Sequence, residues 1–423
     1  MRRSPHLNGC DYLMLGFDRE LRRLGFAGNS CQILLGLGSS ITPGSIAQHL
    51  RPLIELHPIL AARTAGLLTP RWKLARAGVP QPIIRLHRHE PALLQRLFNE
   101  PLAVRRGELM RFDLIERDGG QMDLVFTWSH ALMDAIGAEH FLALLGGTAM
   151  PLASSATAAA PRQRTPLPGR LKLAWKYLHH VDKLGRVAPR SLPPRFPTAP
   201  AELRHRVEHF SDDETARIHA NSMRHCGPLG DAQYHAAAAL LELHCLHQRL
   251  HHTSPSYVLP VPVSLRRKGS FGPLFGNQVT MLMHQLLSEH LVSMADATSA
   301  LKEQTIHALR TGLVESGRTL SELFCFLPLP VYMAILKQGL RGEICSLFFG
   351  DTGAVNPLLI SFLGAPVLEF THVAAITPSP GLGVVYFSFL SRLRFTVIHS
   401  AQILTDDEAA GYATALRHRL LES

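Results

Sequence analysis

A histidine and an aspartate lie four residues apart at the end of an apolar run, in the stretch WSHALMDAIG, residues 128–137. The preceding residues DLVFTW (123–128) predict a buried strand, so His130 would lie where the strand ends, with its ring free to project into a crevice. Histidine takes up and returns a proton near neutral pH better than any other side chain. Asp134 could orient that ring, or it could turn away and fix the loop through an arginine. A single His-x-x-x-Asp among 24 histidines has little specificity, so a purely structural role is the alternative.

The segments around this pair predict a mixed α/β unit in which His130 lies at the end of a hairpin. The turn of that hairpin would be DGG at 118–120, and Thr42 would cap the first long helix. In chain order we predict a strand over 31–40, a helix over 42–60, a strand over 82–89, a hairpin over 107–128 and a helix over 137–147.

The second half repeats the mixed pattern. We predict helices over 211–227, 231–250, 290–310 and 404–423, strands over 256–265 and 277–286, and a pair of strands over 380–403. Proline-rich stretches at 151–169 and 189–202 predict linkers between the halves. We therefore expect an N-terminal lobe over 1–150, a linker with an amphipathic helix over 151–202, and a C-terminal lobe over 203–423.

Length, composition and charge narrow the class of protein. At 423 residues the chain is too long for one core, and 46% hydrophobic with 18% charged residues is an ordinary globular balance. The formal charge of +10 favours anionic partners such as phosphorylated cofactors, acidic carrier proteins or anionic lipid surfaces. No nucleic-acid-binding signature is present, so we expect no nucleic-acid partner. The six cysteines contain no C-x-x-C pair, which is typical of reduced thiols in a cytoplasmic protein.

Residues 170–187 predict an amphipathic helix with two alternative roles. Its apolar face would consist of Leu171, Ala174, Trp175, Leu178, Val181 and Leu184. The other positions are basic: Arg170, Lys172, Lys176, Lys183 and Arg186. Such a helix either packs across the two lobes or lies on a membrane surface, so membrane association stays open. The apolar stretch 323–336 is 14 residues long with two prolines, which is too short and too broken to span a bilayer.

A second group of histidines, His244, His247 and His251, would lie near one face of the predicted helix over 231–250. Such spacing could bind a metal ion. Solvated or packed histidines are the simpler interpretation, and we expect no metal site.

Together these segments resemble the condensation-domain and chloramphenicol acetyltransferase-like acyltransferase superfamily. SHALMDAIG (129–137) resembles its HHxxxDG motif, and HPILAART (57–64), VLPVPVSLRRK (258–268) and FGN (275–277) resemble further family segments in the same order. The superfamily includes the wax ester synthase/diacylglycerol acyltransferase branch, which the basic helix and the apolar stretch 323–336 favour. The resemblance covers most of the chain.

The resemblance implies a fold and a reaction. The fold would be α/β (α+β), with two chloramphenicol acetyltransferase-like lobes, each a mixed sheet with flanking helices, and a tunnel between them. His130 would be the general base that deprotonates an alcohol or amine acceptor, which then attacks an acyl-CoA or acyl carrier protein thioester. Asp134 would pair with Arg266 and hold the turn. No permanently bound cofactor and no metal would be needed.

Other positions of the resemblance are structural or depart from the family. Asn277 could donate to a developing oxyanion, or it could simply suit a left-handed turn after Gly276. Ser129 replaces the first histidine of the motif, and Ala135 replaces its glycine. These departures motivate two alternatives: a catalytically inactive binding or docking module, and a peripheral membrane protein.

Overall fold

The computed structural model describes residues 7–74, 82–147, 165–228, 230–267, 270 and 272–422, in which helices and strands are mixed along the chain. The helices are α1 Gly9–Arg23, α2 Pro43–Leu56, α3 Leu93–Phe98, α4 Ala135–Leu145, α5 Leu167–Leu184, α6 Asp212–Cys226, α7 Asp231–Arg249, α8 Met294–Thr311, α9 Leu313–Phe324, α10 Leu329–Gly339 and α11 Asp406–Glu422. The strands are β1 Ser30–Leu37, β2 Ala62–Ala65, β3 Arg71–Leu74, β4 Ile83–Arg88, β5 Met110–Glu116, β6 Met122–Ser129, β7 Leu203–His209, β8 Ser256–Ser264, β9 Val279–Leu287, β10 Phe348–Ala354, β11 Ser361–Phe362, β12 Ala365–Val373, β13 Leu382–Phe389 and β14 Arg392–Ser400.

Several helices begin where the sequence provides a cap. Thr42 Oγ1 accepts the backbone N–H of Ser45 at 3.1 Å, and Pro43 occupies the first turn of α2. Ser211 accepts the N–H of Glu214 at the start of α6, whose first turn is acidic. These side chains satisfy backbone donors that the helix itself leaves unpaired. The helices predicted at these positions are confirmed.

The first sheet has six strands in the order β11-β12-β1-β6-β5-β4. Strands β5 and β6 form the predicted hairpin, with Met110 opposite Trp128, and β1 lies on the other side of β6 with Ser30 opposite Ser129. All eight residues of β6 are buried, which explains why the apolar residues of DLVFTW do not alternate with exposed polar ones. His130 therefore follows a strand in the middle of the sheet.

The second sheet has the order β10-β13-β14-β7, and helices α7 and α11 cover it. The two helices are tied together because Tyr412 Oη donates to the Ala239 carbonyl and Tyr234 Oη to the Leu420 carbonyl, both at 2.9 Å. Strands β8 and β9 form a separate antiparallel pair with α8 and α9 beside it. Two mixed α/β lobes result, and the predicted fold class is confirmed.

Part of the second half completes the first sheet. Strand β12 pairs antiparallel with β1, with Gln32 opposite Val373, and β11 extends the sheet by one short strand. These two strands were not predicted from the sequence. The proposed lobe boundaries at 150 and 203 remain a prediction from composition. Much of the predicted linker 151–169 lies outside the described residues.

Helix α5 is the predicted amphipathic helix, and it packs alongside α9. Its buried side chains are Ala174, Tyr177 and Leu184, whereas Leu171 and Trp175 are 54% and 71% exposed. The predicted apolar face is thus divided into a packed part and an exposed part. Within the described residues, no helix combines the length and apolar character that crossing a bilayer requires.

Candidate active site

His130 follows the last residue of β6, and its backbone N–H donates to the Asn29 carbonyl at 3.0 Å. The ring nitrogen Nδ1 is enclosed and has no hydrogen-bond partner among the residues that the structure describes. Nε2 is therefore the ring nitrogen that can meet a substrate. Burial lowers the pKa of His130 below its ordinary value of 6.5, although nearby backbone groups and the charge of Asp134 act in the opposite direction. The imidazole is neutral at pH 7 and can accept a proton.

Asp134 caps helix α4 and links the two halves of the chain. Its Oδ1 accepts the backbone N–H of Gly137 at 2.8 Å. Its Oδ2 accepts Arg266 Nη1 at 2.7 Å and the backbone N–H of Gln278 at 2.8 Å. Both Asp134 and Arg266 are largely buried, so this is an enclosed ion pair. Both carboxylate oxygens hold groups other than the His130 ring, and the aspartate fixes the loop.

The segment between β8 and β9 supplies the second half's contribution to the site. Gly276 donates its backbone N–H to the Leu132 carbonyl at 2.8 Å and forms an isolated parallel bridge with Met133. Its φ of +80° is the left-handed conformation that glycine adopts at no steric cost. The loop that carries His130 is therefore clamped by backbone contacts as well as by the Asp134–Arg266 pair.

Asn277, the next residue, contacts both the His130 loop and helix α1. Its Nδ2 donates to the His130 carbonyl and to Asp11 Oδ1, each at 2.8 Å, and its backbone N–H donates to the same Asp11 oxygen at 2.7 Å. Asn8 adds a donor from its backbone N–H to Asp11 Oδ2 at 3.0 Å. The left-handed residue of this turn is Gly276 rather than Asn277.

Asp11 is a site residue that the sequence analysis missed. The carboxyl is 2% exposed, and burial raises its pKa to about 7, although the Asn277 and Asn8 donors act in the opposite direction. The available signal was local: Asn8 and Asp11 form a capping box at the start of α1. That pattern predicts a helix start, but it does not predict that the aspartate also faces a residue from the second half.

Ser129 and Ala135, at which the sequence departs from the motif that it resembles, lie in regular backbone. Ser129 is buried at the end of β6, and its backbone N–H donates to the Leu109 carbonyl at 2.9 Å. Ala135 is the first residue of α4, where any residue adopts the required conformation. The close approach occurs at Gly137, where a Cβ would lie 2.4 Å from the Leu274 carbonyl oxygen. The glycine on which this loop depends is therefore Gly137.

An apolar wall lies beside Asp11 and includes the stretch 323–336. The Tyr12 and Tyr332 rings stack with centroids 6.0 Å apart, and the Phe324 and Tyr332 rings meet edge to face at 5.0 Å. Burial raises the pKa of the neighbouring Cys10 thiol well above its ordinary value, with the charges of Asp11 and Asp134 adding to the shift. The stretch thus packs on helix α1 and contributes to an environment of low polarity.

The second histidine group lies away from these residues, on helix α7. His244 Nδ1 lies 3.1 Å from Tyr257 Oη, and His247 is 1% exposed. Within the described parts of the chain, no three histidine, cysteine, aspartate or glutamate side chains are grouped as metal ligands.

The fold is shared with several solved structures. The first condensation domain of the calcium-dependent antibiotic synthetase, in complex with a substrate analogue, superimposes with a TM-score of 0.71 and 16% identity over 99% of this chain and 96% of that one. The trichothecene 15-O-acetyltransferase from Fusarium sporotrichioides gives 0.70 and 14%, over 99% and 95%. The starter condensation domain of rhizomide synthetase, solved with C8-CoA and Leu-SNAC, gives 0.67 and 14%, over 99% and 94%.

The resemblance inferred from the sequence is therefore confirmed as a likeness of fold. At such low sequence identity, a shared fold does not establish a shared activity. No protein-family model matches the sequence, and no curated protein is significantly similar to it.

Proposed function

We propose that this protein is an acyltransferase that moves an acyl group from a thioester donor to a hydroxyl or amine acceptor, with His130 as the general base. The observation that carries the proposal is the state of His130: a neutral, half-buried imidazole with a shielded Nδ1, on a loop clamped by both halves of the chain. The loop backbone is held in place and Nδ1 is shielded, so the proposed base acts through Nε2.

The proposed reaction needs no group beyond the two substrates and this histidine. Nε2 removes the proton from the acceptor as its oxygen or nitrogen attacks the thioester carbonyl carbon. The tetrahedral intermediate collapses with cleavage of the carbon–sulfur bond. The departing thiolate takes the proton from the imidazolium, which restores neutral His130. The thioester is already activated, so positioning and proton transfer supply the catalysis.

The proposed donors are acyl-CoA or an acyl carrier protein. Two features support them: the bound C8-CoA in a structure of the same fold, and the formal charge of +10 on this chain. A tunnel between the lobes would bring donor and acceptor to His130 from opposite faces. The apolar wall beside Asp11 favours an acyl group of lipid character, as in the wax ester synthase branch. We further propose a cytoplasmic location.

The test is thiol release from a panel of acyl-CoA and acyl carrier protein donors with alcohol and amine acceptors. Wild type would be compared with His130→Ala and with the matched control His418→Ala, an exposed histidine of α11 whose side chain is 64% accessible. We expect acceptor-dependent release that falls about a hundredfold or more in His130→Ala and is unchanged in the control.

Two other outcomes have definite meanings. Equal release by wild type and His130→Ala would remove His130 from the chemistry. Acyl donor that binds but is never consumed would favour the binding or docking module that the Ser129 and Ala135 departures motivate.

A further inference from the structure

Helix α5 presents a stripe of large apolar side chains to solvent. Leu167, Leu171 and Trp175 follow one another at intervals of four residues and are 60%, 54% and 71% exposed. That spacing places them on one side of the helix. The packed side of the same helix is already occupied, since Ala174, Tyr177 and Leu184 are buried. The exposed stripe is therefore a second apolar face.

Phe326 lies at the same end of the molecule as Leu167. Helices α5 and α9 run antiparallel, because Arg170 pairs with Glu322 at 3.7 Å while Tyr177 packs on Gly317. The residues that follow Glu322 consequently lie beside the start of α5. Phe326 comes just after α9 and is 74% exposed. We call Leu167, Leu171, Trp175 and Phe326 the apolar stripe.

Basic side chains accompany the apolar stripe. Lys172 follows Leu171 in sequence, and both Lys172 and Lys183, near the end of the helix, are exposed. Lys176 follows Trp175 and is also exposed, but its Nζ donates to the Thr311 carbonyl at the end of α8. Helix α5 carries four cationic side chains and one carboxylate, Asp182. On the neighbouring helix α9, the carboxylate of Glu322 is paired with Arg170 and Arg318. The surface around the stripe is thus positive.

This combination favours a lipid surface over a protein partner. Interfaces between proteins are depleted of lysine at their centres, whereas here lysines alternate with the apolar residues. Leucine and tryptophan on one side of a helix, with lysines beside them, are typical of helices that lie in the headgroup region of an anionic bilayer. A lysine at such a site can lay its stem along apolar surface while its ammonium group reaches a lipid phosphate.

We propose that α5 docks this protein on an anionic membrane surface, with the apolar stripe inserted among the headgroups and with Lys172 and Lys183 against the lipid phosphates. The contact is peripheral and does not depend on the acyl-transfer reaction. The predicted apolar face over 170–187 is thereby divided into two parts. Ala174 and Leu184 pack inside the protein, and in this proposal Leu171 and Trp175 face the bilayer.

Trp175 provides a direct probe. The chain has three tryptophans, and Trp72 and Trp128 are only 3% and 1% exposed. A change in emission on adding vesicles therefore reports Trp175. Full-length protein would be mixed with vesicles of phosphatidylcholine and phosphatidylserine, or of phosphatidylcholine alone, and followed by flotation, emission wavelength and quenching by brominated lipid.

We expect flotation with the anionic vesicles, a blue shift, quenching by brominated lipid, and weaker binding at high salt. Trp175→Ser and Leu171→Ser should each weaken binding about tenfold, because each removes one inserted side chain. Val292→Ser is the matched control: that valine is 78% exposed and precedes the start of α8, whose other end lies beside α5. Both stripe variants should release thiol from a short-chain soluble donor at the wild-type rate.

Three results would overturn the proposal: no flotation with anionic vesicles, no quenching of wild-type protein by brominated lipid, or equal flotation of Leu171→Ser and wild type. A dimer in sedimentation equilibrium that Leu171→Ser dissociates, without vesicle binding, would assign the stripe to a second copy of the chain and would also overturn it. Failure of the soluble transfer assay in wild type would contradict the proposed function alone.

Discussion

The side-chain amide of Asn277 donates to the backbone carbonyl of His130 at 2.8 Å. The other proton of the same Nδ2 is used by Asp11 at 2.8 Å, so the amide has no donor left for a developing oxyanion. Of the two roles that the sequence left open for Asn277, neither fits the structure fully, because the left-handed turn belongs to Gly276. The amide instead fixes the position of the loop that carries the imidazole relative to helix α1.

Replacing Asn277 tests this positioning role. Asn277→Ala keeps the backbone N–H bond to Asp11 and removes the contact with the His130 carbonyl, so we expect transfer to fall about tenfold or more through misplacement of the base. The measurement is kcat/KM together with its pH profile, whose shape should survive. Gln278→Ala is the control, since Gln278 contacts Asp134 through its backbone. Equal rates for Asn277→Ala and wild type would contradict the positioning role.

The pH dependence of transfer follows from the burial of His130. Because burial lowers the pKa of this base below 6.5, the neutral form persists as the pH falls through 6.5 and is lost only below that value. The acid limb of kcat/KM should therefore lie on the low side of 6.5. A limb above 6.5 in a complete rate profile would be incompatible with a buried neutral base.

Arg266→Ala should destabilise the fold strongly. It leaves Asp134 as a buried carboxylate without its cation, and such losses cost about 3–5 kcal/mol. The free energy of unfolding in urea is the measurement. Arg392→Ala breaks the pair with Asp212, in which both side chains are exposed, and should cost far less because water screens the two charges. Similar costs for the two variants would show that burial of the Asp134 pair has no energetic weight.

Two variants test whether the loop requires glycine at position 137 or at position 135, where the resembled motif has its glycine. Gly137→Ala places a methyl group against the Leu274 carbonyl oxygen and should destabilise the protein by about 1–3 kcal/mol. Ala135→Gly, which introduces the glycine of the resembled motif, should cost no more than about 1 kcal/mol and leave the rate within about twofold. Thermal unfolding and thiol release of both variants show at which of the two positions the loop requires glycine. If Ala135→Gly were more active than wild type, Ala135 would be shown to limit the transfer rate.

His247 should make the protein sensitive to acid. It is 1% exposed with neither ring nitrogen bonded among the described residues, and burial lowers its pKa from 6.5 to about 4. Between pH 6.5 and pH 4 the unfolded chain therefore binds a proton at this histidine that the folded chain does not bind. The contribution of neutral His247 to the free energy of unfolding is complete above pH 6.5 and is lost as the pH falls towards 4. One such group changes the unfolding free energy by about 1.4 kcal/mol per pH unit in that window.

His247→Leu removes this linkage. Its unfolding free energy should fall less than that of wild type between pH 6.5 and pH 4, by an amount close to the contribution of one group. Parallel curves for the two proteins would mean that His247 does not titrate differently on folding.

Local patterns predicted much of the architecture. The hairpin over 107–128, the capped starts of α2 and α6, and the strand leading to His130 follow from periodicity and caps, which act over a few residues. Strand β12 and Asp11 did not follow from such patterns. Their roles arise from partners hundreds of positions away, Gln32 with Val373 and Asp11 with Asn277, and no short window contains both members. The Asp134–Arg266 pair was anticipated only through the family resemblance.

The pairing of β12 with β1 has a consequence for biosynthesis. Strand β1 leaves the ribosome early, but its neighbour on one side follows only after Val373 has been made, on the order of tens of seconds later. During that interval the nascent chain carries an unpaired edge of apolar residues, Ile33, Leu35 and Leu37 among them. A ribosome that pauses before residue 365 would therefore hold the chain at its most aggregation-prone stage, and chaperone binding should be concentrated there.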